Sequence, residues 1–429
     1  MAVETHGIAP IPPGNRYGTA RRLFTVWFAP QVNMTVVFTG TLAIVLGLGF
    51  WLGLLAMVIG TVVGCLAVGY LSTWGPRTGT AQLPNARMAF GGTVAVVAVI
   101  QWLSSIAWDG LVGLFGGEAL AELLGMPFWL AVVIVLAAQG VVGVLGYEVI
   151  HRVQAVMTVV LIVTFAIFAV KLVTGHQVVT APTLAGADLS GAFVLEVTIA
   201  LSLAISWASY ASDYSRYLPV NTSRTAVFGY TFAGLAVAYI AVQAIGVAGA
   251  EVLTDQTAQG IRSIMGGGVL GALALIVVAL SSVASNAMND YSGSLALQTV
   301  GVRVRRPVSA VVVVVMAFAL IMWLHSDDMA GRFQGVLLFV SYWMPAFVAI
   351  VAIDWRYRSA GREEVNPAEE STGRADAWVA LGVFLVAFAA AVPFMHTNLI
   401  VGPVAAALHG ADLAYFVNFL VAGALYGGY

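Results

Sequence analysis

Charge is what this sequence has least of. Only 9% of its 429 residues are Asp, Glu, Lys or Arg, while 60% are hydrophobic and the mean hydropathy is +0.95. A soluble domain carries about 25% charged residues. A chain this apolar would expose extended greasy patches in water, which excludes a soluble globular protein. Cysteine is nearly absent, and Cys65 alone excludes an internal disulfide and leaves the redox compartment open. The net charge of −2 gives no basis for nucleic-acid binding. The histidines (His6, His151, His176, His325, His396 and His409) are scattered over termini and loops. There is no HExxH, no cysteine pair and no Ser–His pairing, so a membrane-embedded enzyme finds no support. Repeated selectivity motifs and rings of like charge, which a channel would use, are also missing. The first 23 residues hold Arg16, Arg21 and Arg22 but no apolar run with a cleavage site, so the first helix is expected to double as insertion signal.

Long apolar runs are abundant. A spanning helix needs about 20 predominantly apolar residues. Such runs lie at 24–49, 53–74, 92–119, 127–147, 153–174, 192–217, 226–250, 267–299, 308–325, 332–354, 376–395 and 400–425, which predicts twelve membrane helices. With the amino terminus inside, fifteen Lys and Arg fall in inner segments, and only Lys171, Arg262 and Arg332 fall outside. That asymmetry is the positive-inside pattern, and it places both termini in the cytoplasm of a multi-pass cytoplasmic-membrane protein. No loop is long enough for a separate domain. The longest link, 355–375, is polar and rich in Glu363, Glu364, Glu369 and Glu370, the composition of a flexible connector.

Polar side chains inside the hydrocarbon layer are costly and tend to mark a pathway. In the first run Pro30, Gln31 and Asn33 interrupt an apolar stretch, and the proline predicts a bend that frees carbonyls near Phe28 and Gln31. In the sixth, Ser202, Ser206, Trp207, Ser209, Tyr210 and Ser212 crowd two turns. Interrupted helices at corresponding places in two halves point to the central site of a carrier; the alternative is two ordinary kinked helices. On the third run Gln101, Ser104, Ser105 and Trp108 share one face, with Asp109 one residue beyond. On the eighth, Ser281, Ser282, Ser285, Asn286, Asn289 and Asp290 form a polar stripe, although a single such residue is usually interhelical glue. Indole faces stack on flat heteroaromatic rings, and Asn offers both donor and acceptor to ring N–H and C=O groups. Trp108, Trp207, Asn286 and Asn289 could supply both. Asp213 and Arg216, three apart, suggest an ion pair or gate brace near the inner end. Glu148, His151 and Arg152 are expected in an inner loop, and Glu196 near the outer surface is expected to be solvated.

The chain resembles the first nucleobase–cation symporter family, which includes cytosine, purine, allantoin and hydantoin permeases. The resemblance rests on five ordered motifs: Gly7–Pro12 with Arg21–Phe28, Gly75–Gly91, Ser206–Pro219, Ser341–Asp354 and Ala411–Tyr426. Ser206–Pro219 (SWASYASDYSRYLP) is the most specific of them. It implies an all-α LeuT-type fold. A cytoplasmic segment 1–23 would precede a first five-helix repeat at 24–174 and an inverted repeat at 192–354. The linker 355–375 and two extra helices at 376–429 would follow.

By the same resemblance Trp108 stacks the substrate ring, Trp207 and Ser206 contribute from the sixth helix, and Asn289 or Asn286 binds the ring's edge. At the third-helix position beside the stacking Trp, often Gln in the family, the candidates are Ser105 one turn before and Val112 one turn after, so that contact is altered or absent; Asn33, in the first-helix break, joins the substrate set. Sodium-driven members would use the Phe28 and Gln31 carbonyls with the Ser281 and Ser282 hydroxyls. If Asn289 is the substrate ligand, Val283 and Ala284 fall nearest the hydroxyl positions and weaken that site. A proton exchanged at Asp109 is the rival coupling ion. The expectation is therefore a cation-coupled importer of a nucleobase or similar heterocycle, with no cofactor and no obligate protein partner. A vitamin precursor such as a hydroxymethylpyrimidine is the alternative substrate.

Overall fold

The computed structural model describes residues 7–144, 147–254, 257–301, 306–326, 328–357 and 374–429. Most of the expected linker, together with Arg303, Arg305 and the Glu148 side chain, lies outside the described residues. Every expected apolar run contains a helix. In chain order these are Arg22–Phe28 with Met34–Val45 (the first), Gly49–Ser72, Val94–Leu124, Phe128–Val144, Tyr147–Gly175 and Gly186–Ile205 continued by Ala211–Ser215 (the sixth). Arg224–Leu253, Gly268–Val300, Arg306–Leu324, Met329–Phe339 with Met344–Tyr357 (the tenth), Arg374–Ala391 and Ala414–Gly428 follow. Among the described residues eight helices are long and apolar enough to cross a membrane, or nine with the bent first pair. Phe128–Val142, Val311–Leu324 and Ala414–Gly428 are shorter apolar helices.

Packing divides these helices into groups. The third and eighth make the most extensive contact in the molecule, with the fourth and ninth packed on them. The second packs on the sixth and seventh, and the first packs on the seventh. The tenth, eleventh and twelfth gather around the twelfth. The second group is held by close backbone approach. A Cβ at Gly60 would lie 2.2 Å from the Val197 carbonyl oxygen of the sixth helix. One at Gly246 would lie 1.9 Å from the Val37 carbonyl oxygen of the first. Small residues at membrane-helix contacts allow this approach, which dispersion rewards where no hydrophobic effect acts between helices.

Four expectations need correction. The tenth run is broken, since Val340–Trp343 form turns between two helices. Neighbours satisfy the polar groups freed there: Ser104 Oγ donates to the Val340 carbonyl (3.1 Å), Asn418 Nδ2 to that of Tyr342 (2.8 Å) and Tyr415 Oη to that of Leu338 (2.9 Å). The twelfth helix begins at Ala414 rather than near residue 400, because 396–413 folds back through an isolated bridge between His396 and Val401 and a turn at His409 and Gly410, both at positive φ. Glu196 is fully buried rather than solvated. That returning segment covers the sixth helix: His409 backbone lies against Gly191, and Thr198 Oγ1 donates to the Asp412 carbonyl at 2.7 Å. His151 and Arg152 lie within the fifth helix, not in a loop.

The Gly246 contact yields a test. Gly246→Ala forces apart the first and seventh helices, and overpacking of this kind costs about 1–3 kcal/mol. Its thermal unfolding midpoint in detergent should fall. Gly423→Ala, where an added Cβ meets nothing within 4 Å, should leave the midpoint unchanged.

Candidate functional site

The first helix is broken by 57° between Gln31 and Met34. Pro30 removes one donor, and Val32 and Asn33 leave helical geometry, with φ/ψ of −90°/74° and −143°/169°. Asn33 repairs both sides. Its Oδ1 caps the second half by accepting from the Val36 N–H (3.1 Å), and its Nδ2 donates to the Pro30 carbonyl (2.5 Å). Ser285 of the eighth helix donates to the same carbonyl at 3.1 Å. The break is therefore stitched to the eighth helix by side-chain donors. Of the expected sodium hydroxyls, Ser281 donates to Val278 of its own helix (2.8 Å) and Ser282 to Val112 of the third (2.6 Å). Neither is hydrogen-bonded to the first helix.

The third and eighth helices bring together the expected polar groups. Asn286 Nδ2 donates to the Asp109 carbonyl (3.1 Å) and to Gln139 Oε1 of the fourth helix (2.7 Å), while its Oδ1 accepts from Asn289 Nδ2 (3.1 Å). Asn286 is thus consumed by packing on both ends of its amide. Asn289 is not: its Nδ2 serves Asn286, and no protein donor among the described residues reaches its carbonyl oxygen. That settles which amide has an acceptor to spare. One participant carried no role in the sequence reading, Gln139, which was legible as the lone strongly polar side chain of its helix.

Trp108, one residue before Asp109, is buried and stacks on no other aromatic ring among the described residues. Trp207 lies in a 3-10 segment, Ser206–Tyr210, that tightens the sixth helix where the serines crowd. Its indole N–H donates to the Tyr239 hydroxyl (2.7 Å), and Trp27 and Tyr210 stand edge-on to it with centroids 5.6 Å away in each case. Ser206 and Ser105 donate to carbonyls of their own helices, Leu203 at 2.8 Å and Trp102 at 2.7 Å. Gln101 links the third helix to the sixth: its amide N–H donates to the Tyr210 hydroxyl at 2.5 Å, and its Oε1 accepts from Ser209.

At the end of the sixth helix nearest Gly7 the helices are bridged. Arg216, fully buried, donates to the Gly7 carbonyl (2.7 Å), the Tyr291 hydroxyl (2.8 Å) and the Tyr217 hydroxyl (3.2 Å). Asp213 Oδ1 accepts from the Gln82 N–H at 2.8 Å. These contacts reach the second–third connection, the amino-terminal segment and the eighth helix.

A model of permeases for cytosine/purines, uracil, thiamine and allantoin matches residues 10–418. The chain belongs to this permease family. Among its relatives, YxlA of Bacillus subtilis, whose name assigns it provisionally to purine and cytosine permeation, is 26% identical over 99% of this chain and 95% of its own length. The purine-cytosine permease fcyB of Emericella nidulans is 25% identical over 99% of this chain and 88% of its own. The solved structure of Mhp1, a nucleobase-cation-symport-1 transporter closed with bromovinylhydantoin bound, superposes with a TM-score of 0.79 over all of this chain and 95% of Mhp1 at 17% identity. The fold is the LeuT-type arrangement of this permease family, as the sequence motifs implied.

The two ends of the Asn286 amide make it structural. Asn286→Ala strips partners from Gln139, Asn289 and the Asp109 carbonyl, at about 1–3 kcal/mol for each buried group left unsatisfied. The unfolding midpoint should fall well below that of Ser281→Ala, whose hydroxyl serves only a carbonyl of its own helix.

Proposed function

We propose that this permease imports a neutral, flat nucleobase-like heterocycle by cation-coupled alternating access across the cytoplasmic membrane. The observation that carries the reading is the pairing of an unstacked, buried Trp108 with an Asn289 carbonyl left open for a donor, beside helices interrupted at Pro30 and Ser206. A stacking face and an amide edge suit a ring bearing N–H and C=O groups. Relatives named for purine and cytosine permeation support the same class.

The two packing groups support a division of labour. The first, second, sixth and seventh helices move as one body, and the third, fourth, eighth and ninth stay as the other. On this reading 24–174 and 192–354 are the inverted repeats, 355–375 links them to the last two helices, and both termini face the cytoplasm. Sodium at the Phe28 and Gln31 carbonyls and a proton at Asp109 are the two candidate couplings.

The test is a thermal-shift series on purified protein against cytosine, uracil, adenine, hypoxanthine, allantoin, hydantoin and a hydroxymethylpyrimidine, with and without sodium. Ligand binding to the native state raises apparent stability by mass action. One heterocycle should shift the midpoint. Trp108→Ala should weaken its binding about tenfold or more, since a stacked pair contributes about 1.5 kcal/mol beyond its buried area. Asn289→Ala should abolish uptake without loss of expression. No shift with any heterocycle, and uptake intact in both variants, would refute the assignment.

A further inference from the structure

Two of the motifs that carry the family resemblance, Ser341–Asp354 and Ala411–Tyr426, hold no residue of the proposed site. In the folded chain they meet at one group. The Asp412 carboxyl is fully buried. Its Oδ2 accepts from the Tyr342 hydroxyl and from the His396 N–H (2.7 Å), and its Oδ1 accepts from the Ala414 N–H (2.9 Å). Three converging donors are what an ionised carboxylate takes. The main-chain carbonyl of Asp412 accepts from the Thr198 hydroxyl of the sixth helix at 2.7 Å. One residue therefore joins the tenth-helix break, the returning segment, the start of the twelfth helix and the sixth helix. The returning segment is seated on both helices it links. A Cβ at Gly335 of the tenth would lie 1.9 Å from Asn398 Oδ1, and one at Gly191 of the sixth 2.0 Å from the His409 carbonyl oxygen.

Tyr342 is gripped twice more from the twelfth helix. Asn418 Nδ2 donates to its carbonyl (2.8 Å), and the Tyr415 ring lies against its ring with centroids 5.1 Å apart. Tyr415 Oη reaches the first half of the tenth helix at the Leu338 carbonyl (2.9 Å), and Tyr426 Oη reaches the second half at Asp354 Oδ1 (3.0 Å). The twelfth helix is thus a splint laid across both halves. The same turn touches the third helix. Ser104 Oγ donates to the Val340 carbonyl (3.1 Å) and accepts from Trp343 Nε1 (3.2 Å). Ser104 lies one turn before Trp108 and on the same helix face. The hydrogen bonds therefore run from Thr198 through Asp412 and Tyr342 to a turn that rests beside the proposed stacking residue.

We infer that Asp412 is a positioning residue for permeation: through the Tyr342 hydroxyl it fixes the Val340–Trp343 turn against Ser104 and ties that turn to the sixth helix. The effect on the ligand rests on the import reading; the tie itself stands on the hydrogen bonds. While the tie holds, a displacement of the sixth helix carries Asp412 with it, and Tyr342 follows. Once it is cut, the first half of the tenth helix settles independently of the sixth. The third-helix face that bears Trp108 then loses a fixed neighbour.

The tie is tested on the full-length protein in lipid, with no ligand required. Cys65 is the only cysteine, so a Cys65→Ala background accepts a pair of spin labels, at Ala330→Cys near the start of the tenth helix and at Leu420→Cys, exposed on the twelfth. The tied chain should give one dominant distance. Tyr342→Phe removes a single hydroxyl and leaves the bonds of Asp412 to His396 and Ala414 in place. It should raise the share of a second distance about tenfold, the effect of losing one hydrogen bond to a charged group. Thr198→Val, which cuts the tie at the sixth helix, should raise the same second distance. A distribution unchanged in either variant overturns the tie. The effect on the ligand is tested with whichever heterocycle of the panel binds. Asp412→Asn and Tyr342→Phe should each weaken binding about tenfold, and the double variant no further, because both act through one bond. Additive losses, or full affinity in Tyr342→Phe, overturn the positioning. If Asp412→Asn fails to fold, Tyr342→Phe decides alone. If no heterocycle binds, the import reading falls while the label distances still decide the tie.

Discussion

Everything in this molecule depends on the requirement that a backbone polar group in hydrocarbon find a partner within the protein. Regular helices meet it automatically, and an interrupted one does not. Each interruption here is matched by a side chain on a different helix. The Pro30 carbonyl takes Asn33 and Ser285, the Val340 carbonyl takes Ser104, and that of Tyr342 takes Asn418. Irregular backbone is what lets a ligand approach main-chain atoms at mid-membrane depth, so the partners that make the breaks tolerable also define where a site can form.

Those repairs cross between packing groups. Ser285 belongs to the third–eighth pair, while Pro30 lies in a first helix pressed on the seventh. Within a group, contacts such as Gly246 on the Val37 carbonyl are backbone on backbone and leave no room to slide. Between groups, contacts run through side chains, among them Ser285 to the Pro30 carbonyl, Gln101 to Tyr210 and Ser209, Arg216 to Tyr291, and the Phe38 ring on Phe115.

Much of this was legible in the sequence, and the limits have physical causes. Pro30 with Asn33 announced the first break because proline and a capping amide act locally. The tenth break also has a proline behind it: Pro345, at the start of the second half-helix, cannot donate to the Ser341 carbonyl, and tertiary partners serve the carbonyls of Val340 and Tyr342. The twelfth run looked continuous because residues 400–413 are apolar, yet Gly402, Pro403 and Gly410 punctuate a segment that folds back on the sixth helix. The burial of Glu196 follows from that fold-back and could not be read without it. Within the site, side-chain types and their helices were readable. The assignment of Asn286 to packing depends on the rotation of the helices about their axes, which composition does not encode.

The amino-terminal segment lies across the inner ends of several helices. The Ile11 N–H donates to the Gly79 carbonyl at 2.8 Å, the Tyr17 N–H to that of Tyr217 at 2.6 Å, and Arg216 grips the Gly7 carbonyl. Separating the helix ends here has to break those bonds, so the amides of Ile11 and Tyr17 trade hydrogen for deuterium only when this end opens. On the proposed import reading, with this end facing the cytoplasm, their exchange rates are an intrinsic clock for the transport cycle, readable without labels and without knowledge of the cargo. Anything bulky fused close before Gly7 would wedge this end and bias the clock.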